Sequence, residues 1–336
     1  MTVAYTSYLD GLSRPGSFGQ MPAELLRLLR GLDPVEQWVE RTSEGIDEPI
    51  FQRDVDFLER ILPYMETFAS YFDAEVCGFD LLPSSGPMLL VGNHSGGTLT
   101  PDTSALFSSW YRERGIDSDL YGLAFDAMFG VPGVRTLMRK IGQLPASMAN
   151  AAAALDRGAS VLVYPGGEHE VFRPWTDRNR IDFDGRKGFV RLALRTQVPV
   201  VPVVGHGGHS STIVVARGSS LARLVGLDRL RVTTFPVLFQ VPWGLSPAGW
   251  IAVPLPAKIV VQLHEPLDWS GYGPDAADDD EVVERCYDEI TGLMQDTLSE
   301  LARQRPCPVA SRVLSFVGRR VSSAADWISR EPTRRS

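Results

Sequence analysis

Two apolar runs that each stop on a glycine turn constrain this chain most. Pro87-Met88-Leu89-Leu90-Val91 runs into Gly92-Asn93-His94-Ser95-Gly96-Gly97, and Ala159-Ser160-Val161-Leu162-Val163-Tyr164 runs into Pro165-Gly166-Gly167-Glu168-His169-Glu170. Short aliphatic runs without polar alternation read as strands covered on both faces, the habit of parallel sheets. Val198 to Val203 forms a third such run, and Ile259 to Leu263 a fourth. Helical patterns lie between them, at Met148 to Asp156 and Lys187 to Arg195. This alternation predicts an α/β fold: a mixed, largely parallel sheet flanked by helices, with helical N- and C-terminal extensions. Open sheets of this kind bind ligands at the carboxyl ends of their strands, which is where His94 and the 165–170 turn fall.

An imidazole at a strand end can take a proton near neutral pH. A carboxylate on its other nitrogen would hold the tautomer and stabilise the imidazolium. Asp102 is the nearest candidate in sequence, with Asp126 and Glu168 as alternatives. Pro101-Asp102-Thr103-Ser104 also reads as a helix start with Asp102 as its cap. In the second turn the paired glycines allow close backbone approach and offer amides to a developing oxyanion. The cluster of Glu168, His169, Glu170 and Arg173 beside it exceeds what a plain turn needs. Asn93, Ser95, Gly96, Gly97, Pro165, Gly166, Gly167, Glu168, His169, Glu170 and Arg173 are therefore the candidate substrate-binding set, with His94 and Asp102 as the catalytic pair.

Over roughly positions 70 to 270 the chain resembles the glycerolipid and lysophospholipid acyltransferases. Asn93-His94 with Asp102 resembles their first motif, and Ile141-Gly142-Gln143-Leu144-Pro145-Ala146-Ser147 loosely matches the second. Tyr164-Pro165-Gly166-Gly167 with Glu170 is similar to the Pro-Gly-Gly-x-x-Glu form of the diacylglycerol acyltransferase-like branch. Val198-Pro199-Val200-Val201-Pro202-Val203 fits the fourth motif. The resemblance implies acyl transfer from a thioester, acyl-CoA or acyl-carrier protein, to a lipid hydroxyl, with no other cofactor and no metal. It differs in spacing: seven residues separate His94 from Asp102, against the family's usual four. Phosphate-binding members carry Arg in the second and third motifs, where this chain has Ser147 and His169. Guanidinium forks suit phosphate oxygens, and Arg173, Arg178, Arg180 and Arg186 are the nearest remaining.

With 336 residues, 44% of them hydrophobic, the chain can bury a large core. Its three cysteines, Cys77, Cys286 and Cys307, have no metal spacing and suit a reduced, cytoplasmic setting. His206-Gly-Gly-His209 lacks a third ligand, and His264 reads as structural. No signal peptide is apparent, and the most apolar stretch, Val232 to Val261, is broken by five prolines. Net charge is −8, which disfavours nucleic acid as a partner.

Two segments suit a membrane surface and peripheral attachment to its inner face. Phe235 to Pro256 is uncharged and holds Trp243 and Trp250; the alternative is a loop packed on the core. From residue 303 onward, eight arginines face only Asp326 and Glu331, and Val313, Leu314, Phe316, Val317, Val321, Ala324, Trp327 and Ile328 recur at helical spacing. The alternative is a helix docked on the acidic body. The expected parts are a helical extension over 1–70, built on Leu25, Leu26, Leu28, Leu29, Trp38, Phe57, Leu58, Ile61 and Leu62, an α/β domain over 71–272, and C-terminal helices over 273–336. Asp278-Asp279-Asp280-Glu281 would open one of those helices, where acids suit the dipole. Two other functions stay open: a hydrolase or thioesterase using Ser95 or an activated water, and a noncatalytic peripheral lipid-binding protein.

Overall fold

The computed structural model describes residues 50–218, 236–247 and 253–316. The central strands are β1 (Glu75–Cys77), β2 (Leu89–Gly92), β3 (Leu120–Ala124), β4 (Gln143–Pro145), β5 (Ser160–Val163), β6 (Val200–His206) and, late in the chain, β10 (Val260–Leu263). They form one sheet in the order β1-β10-β6-β2-β5-β3-β4. From β6 to β4 every pairing is parallel; β10 runs antiparallel to β6 and parallel to β1. The expected mixed, largely parallel sheet is what the chain forms.

Register explains the continuous apolar runs. Leu89 lies beside Val161 and Val200, and the next row sets Leu90 beside Leu162 and Val201. Successive residues point to opposite faces, so the two rows enter two separate cores. The first row packs beneath α4 (Met148–Asp156), α6 (Gly188–Thr196) and α8 (Asp280–Gln304), through Leu155, Leu192, Ile290 and Met294. The second meets α1 (Val55–Tyr71) and α2 (Pro101–Arg114) through Leu58, Leu106 and Trp110. Leu89 and Leu90 are both fully buried, and truncating either to Ala costs about 2–5 kcal/mol.

Helix starts follow local chemistry. Asp54 accepts from Phe57 N at α1, Ser147 from Asn150 N at α4, and Asp279 from Glu281 N and Val282 N at α8, the helix the acidic run was expected to open. The third apolar run was expected to end at Val203, but β6 continues to His206 because Val203 to His206 pair with Leu263 to Val260 of β10. The proline-rich stretch is partly strand. After α7 (Gly208–Ser211), β7 (Ile213–Ala216), β8 (Val237–Gln240) and β9 (Gly244–Pro247) make a three-stranded antiparallel sheet. Beyond α8, residues 308–316 are helical. The expected helices over Leu25 to Trp38, together with Phe235, Trp250 and the tail from Val317 onward, lie outside the described residues. Among the described residues no helix is long and apolar enough to cross a membrane.

Candidate active site

Because β6, β2 and β5 are adjacent and parallel, their carboxyl ends open onto one place. The loop after β2 carries His94, the turn after β5 carries 165–170, and the loop after β6 leads into His209. Asn93 locks the first loop to strand β6: its Nδ2 donates to Gly205 O at 2.9 Å, and Gly205 N donates to its Oδ1 at 2.7 Å. Its amide thus extends the β2–β6 ladder by one rung and is used within the fold.

His94 sits at the meeting point. Its ring stacks on Tyr164, with centroids 4.3 Å apart and planes within 9°. That stack needs a glycine beneath it, since a Cβ on Gly92 would lie 2.5 Å from the tyrosine ring. Thr103 donates to the Tyr164 hydroxyl at 2.9 Å, fixing the far end of the ring. Nδ1 of His94 is buried without a hydrogen-bond partner. Burial disfavours the imidazolium and pushes the His94 pKa down to about 4.

The expected Asp102–imidazole hydrogen bond is not made. The longer spacing carries Asp102 into the first turn of α2, where its Oδ2 accepts from the Ser95 hydroxyl at 2.8 Å and its Oδ1 from Thr103 N at 2.8 Å. Thr100, and not Asp102, is the residue that precedes the helix. Asp102 is buried, which pushes its pKa up to about 6 against those donors. Ser95 is buried as well, pressed so closely on Gly208 that a Cβ there would lie 2.2 Å from its Oγ. Gly96 and Gly97 have φ of +87° and +63°, conformations that glycine adopts without strain.

The second turn serves the first. Fully buried Glu170 accepts from His94 N at 2.9 Å through Oε2, and through Oε1 from Arg173 at 2.8 Å and Asp182 N at 3.2 Å. Burial raises its pKa, while Arg173 and the two backbone donors favour the carboxylate. Arg173 is 2% exposed and committed to this pair, so neither side chain faces a substrate here. Gly166 is a spacer for Glu170, because a Cβ on it would lie 2.1 Å from Glu170 Cγ. Of the turn amides expected to face an oxyanion, that of Gly167 instead donates to Tyr164 O at 3.0 Å, closing the turn on itself. Carbonyls of Pro165 and Gly166 accept from Arg186. His169 lies between Asp182 at 3.2 Å and Arg217 at 3.3 Å, contacts that put its ring proton on Nε2. Glu168 is half-buried on the same short helix, α5 (Gly167–Val171).

Tyr164, Asp182 and Arg217 joined the site without being foreseen. Tyr164 read as one more strand residue, and Arg217, which follows β7, arrives through tertiary folding alone. His209, noted in sequence, is buried with Nδ1 unpartnered, and burial with the nearby Arg173 and His94 charges pushes it down to about 3. His206 bonds Arg305 O at 3.1 Å and His264 bonds the Thr297 hydroxyl at 3.0 Å. A shallow, solvent-open indentation lies beside Ser95, Gly205, His209, Ser210 and Arg178. Among the described residues no group of His, Cys, Asp and Glu could hold a metal ion.

Residues 73–205 match the family model described as Acyltransferase. Over part of its length the chain is thus similar to glycerolipid acyltransferases. An uncharacterized protein of Mycobacterium leprae is 34% identical over 246 residues, 73% of this chain and 65% of that protein. Diacylglycerol O-acyltransferase 2 of Dictyostelium discoideum is 27% identical over 162 residues, 46% of this chain and 49% of that one. The chain thus spans just under two thirds of the mycobacterial relative and about half of the second. The crystal structure of the 1-acyl-sn-glycerophosphate acyltransferase from Thermotoga maritima aligns with a TM-score of 0.43 and 17% identity, over 83% of this chain and 96% of that one.

Proposed function

We propose that this chain moves a fatty acyl group from an acyl thioester, acyl-CoA or acyl-carrier protein, to a hydroxyl of a glycerolipid or lysophospholipid, with His94 as general base. It works as a peripheral protein on the cytoplasmic face of a membrane. The observation that carries this reading is the His94 imidazole itself: held by its backbone to Glu170, clamped by Tyr164 and kept neutral by burial. A neutral imidazole can accept the acceptor's hydroxyl proton as that oxygen attacks the thioester carbonyl. The tetrahedral intermediate then expels thiolate, which recovers the proton from the imidazolium. Asp102, braced by Ser95 beside the base, supplies the negative charge that offsets the transient cation. No acyl-enzyme is required, and a buried Ser95 whose hydroxyl points to Asp102 supports a brace over a nucleophile.

The test is thiol release from a panel of acyl-CoAs, with and without lysophospholipid, monoacylglycerol or diacylglycerol, for the native chain, His94→Ala and Ser95→Ala. Acceptor-dependent release that falls by about 10²–10⁴ in His94→Ala supports the reading. Release that ignores the acceptor and disappears only in Ser95→Ala replaces it with hydrolysis, and a silent His94→Ala removes catalysis from this site.

A further inference from the structure

The small sheet has one face with no cover among the described residues. Register sets Phe239 beside Leu245 and Ile213, while the alternate row of Val214, Leu238 and Ser246 is buried. Period-two alternation therefore turns Phe239 and Leu245 outward, 45% and 68% exposed. Val215, Val241 and Val253 are exposed around them. This surface is continuous with a second one. Val253 N bonds Val241 O, the Tyr71 hydroxyl donates to Pro254 O at 2.8 Å, and Arg312 Nε donates to Tyr71 O at 2.7 Å. Arg312 belongs to helical residues 308–316, whose Val313 and Leu314 are exposed. Sheet and helix are thus stitched side by side through Tyr71.

The sequence charge of the segments that carry these patches opposes that of the chain. Within residues 217–256 four arginines face one aspartate, and the sequence from 303 onward has eight arginines against two acids, in a chain of net charge −8. Apolar side chains carried on segments this rich in arginine match an anionic lipid surface. The location suits a lipid substrate: Thr212, just before β7, packs against Gly97 of the His94 loop, and Arg217, just after it, reaches His169.

Resting on the membrane reading above, we propose that the outward face of β7–β9, together with residues 308–316, docks the protein on an anionic phospholipid bilayer beside the active-site mouth. The test is flotation of the full chain with phosphatidylglycerol-containing and pure phosphatidylcholine vesicles, for the native protein, Phe239→Glu/Leu245→Glu, Leu314→Glu and His94→Ala. Native binding should prefer the anionic vesicles and weaken with salt. The double variant should lose about twentyfold in partition and Leu314→Glu about fivefold, as half-exposed side chains no longer enter the interface. His94→Ala should bind as the native chain does. Acyl transfer to a dispersed short-chain acceptor should persist in the docking variants, which separates failure of docking from failure of the proposed chemistry and shows that they fold. Equal partition of all variants, absence of native binding, or a solution dimer that the double variant dissociates overturns the proposal, the last in favour of a second copy on this face.

Discussion

Gly166→Ala tests whether the Pro-Gly-Gly turn uses its first glycine for conformation or for space. Gly166 has φ −67° and ψ −24°, which any L-residue adopts. If freedom were its purpose, alanine would be neutral or would stabilise by about 0.4–1 kcal/mol through the unfolded chain. The structure gives the opposite sign. The new Cβ would lie 2.1 Å from Cγ, 2.5 Å from Cδ and 2.6 Å from Oε2 of Glu170. Glu170 is fully buried, and relieving the overlap moves its carboxylate by more than an ångström, out of its 2.9 Å bond to His94 N and its 2.8 Å pair with Arg173. Overpacking and a lost charge-assisted hydrogen bond together cost about 2–5 kcal/mol, a fall in Tm of roughly 3–7 °C for a chain of this size. Displacing the His94 loop should lower kcat about a hundredfold. Scanning calorimetry with the thiol-release assay reads both quantities. An alanine variant as stable as the native chain would refute the spacer role of Gly166 and the placement of Glu170 beneath it.

The acid limb of the transfer rate should lie near pH 6, where Asp102 loses the charge that offsets the imidazolium, because burial holds the His94 pKa lower still, near 4; an Asp102→Asn variant whose residual kcat/KM keeps a limb at 6.5 contradicts a buried base. Arg173→Leu should destabilise by about 3–5 kcal/mol, since it leaves the buried Glu170 charge unpaired, whereas Glu170→Gln/Arg173→Met should recover most of that loss in urea titrations.

Much of this architecture was legible in the chain, and the parts that were not share one cause. The strands around Leu89, Val161 and Val200 announce themselves by composition, because a sheet buried on both faces tolerates only apolar side chains. Asp279, Ser147 and Asp54 mark helix starts through hydrogen bonds to residues two or three positions away. His94 and the Pro165-Gly166-Gly167 turn were visible for the same local reason, as polar breaks at the ends of apolar runs. What each side chain does there was not visible. Arg173 and Glu170 looked like substrate ligands and instead neutralise each other; Asp102 looked like the partner of His94 and is held by Ser95 and Thr103. Tyr164, Arg217 and the antiparallel partner of β6 reach their positions through contacts between segments far apart in sequence. Periodicity, caps and turns are short-range and can be read along the chain. Which carboxylate meets which donor, and which sheet face is left open, is decided only when distant strands fix their register and exclude water from the space between them.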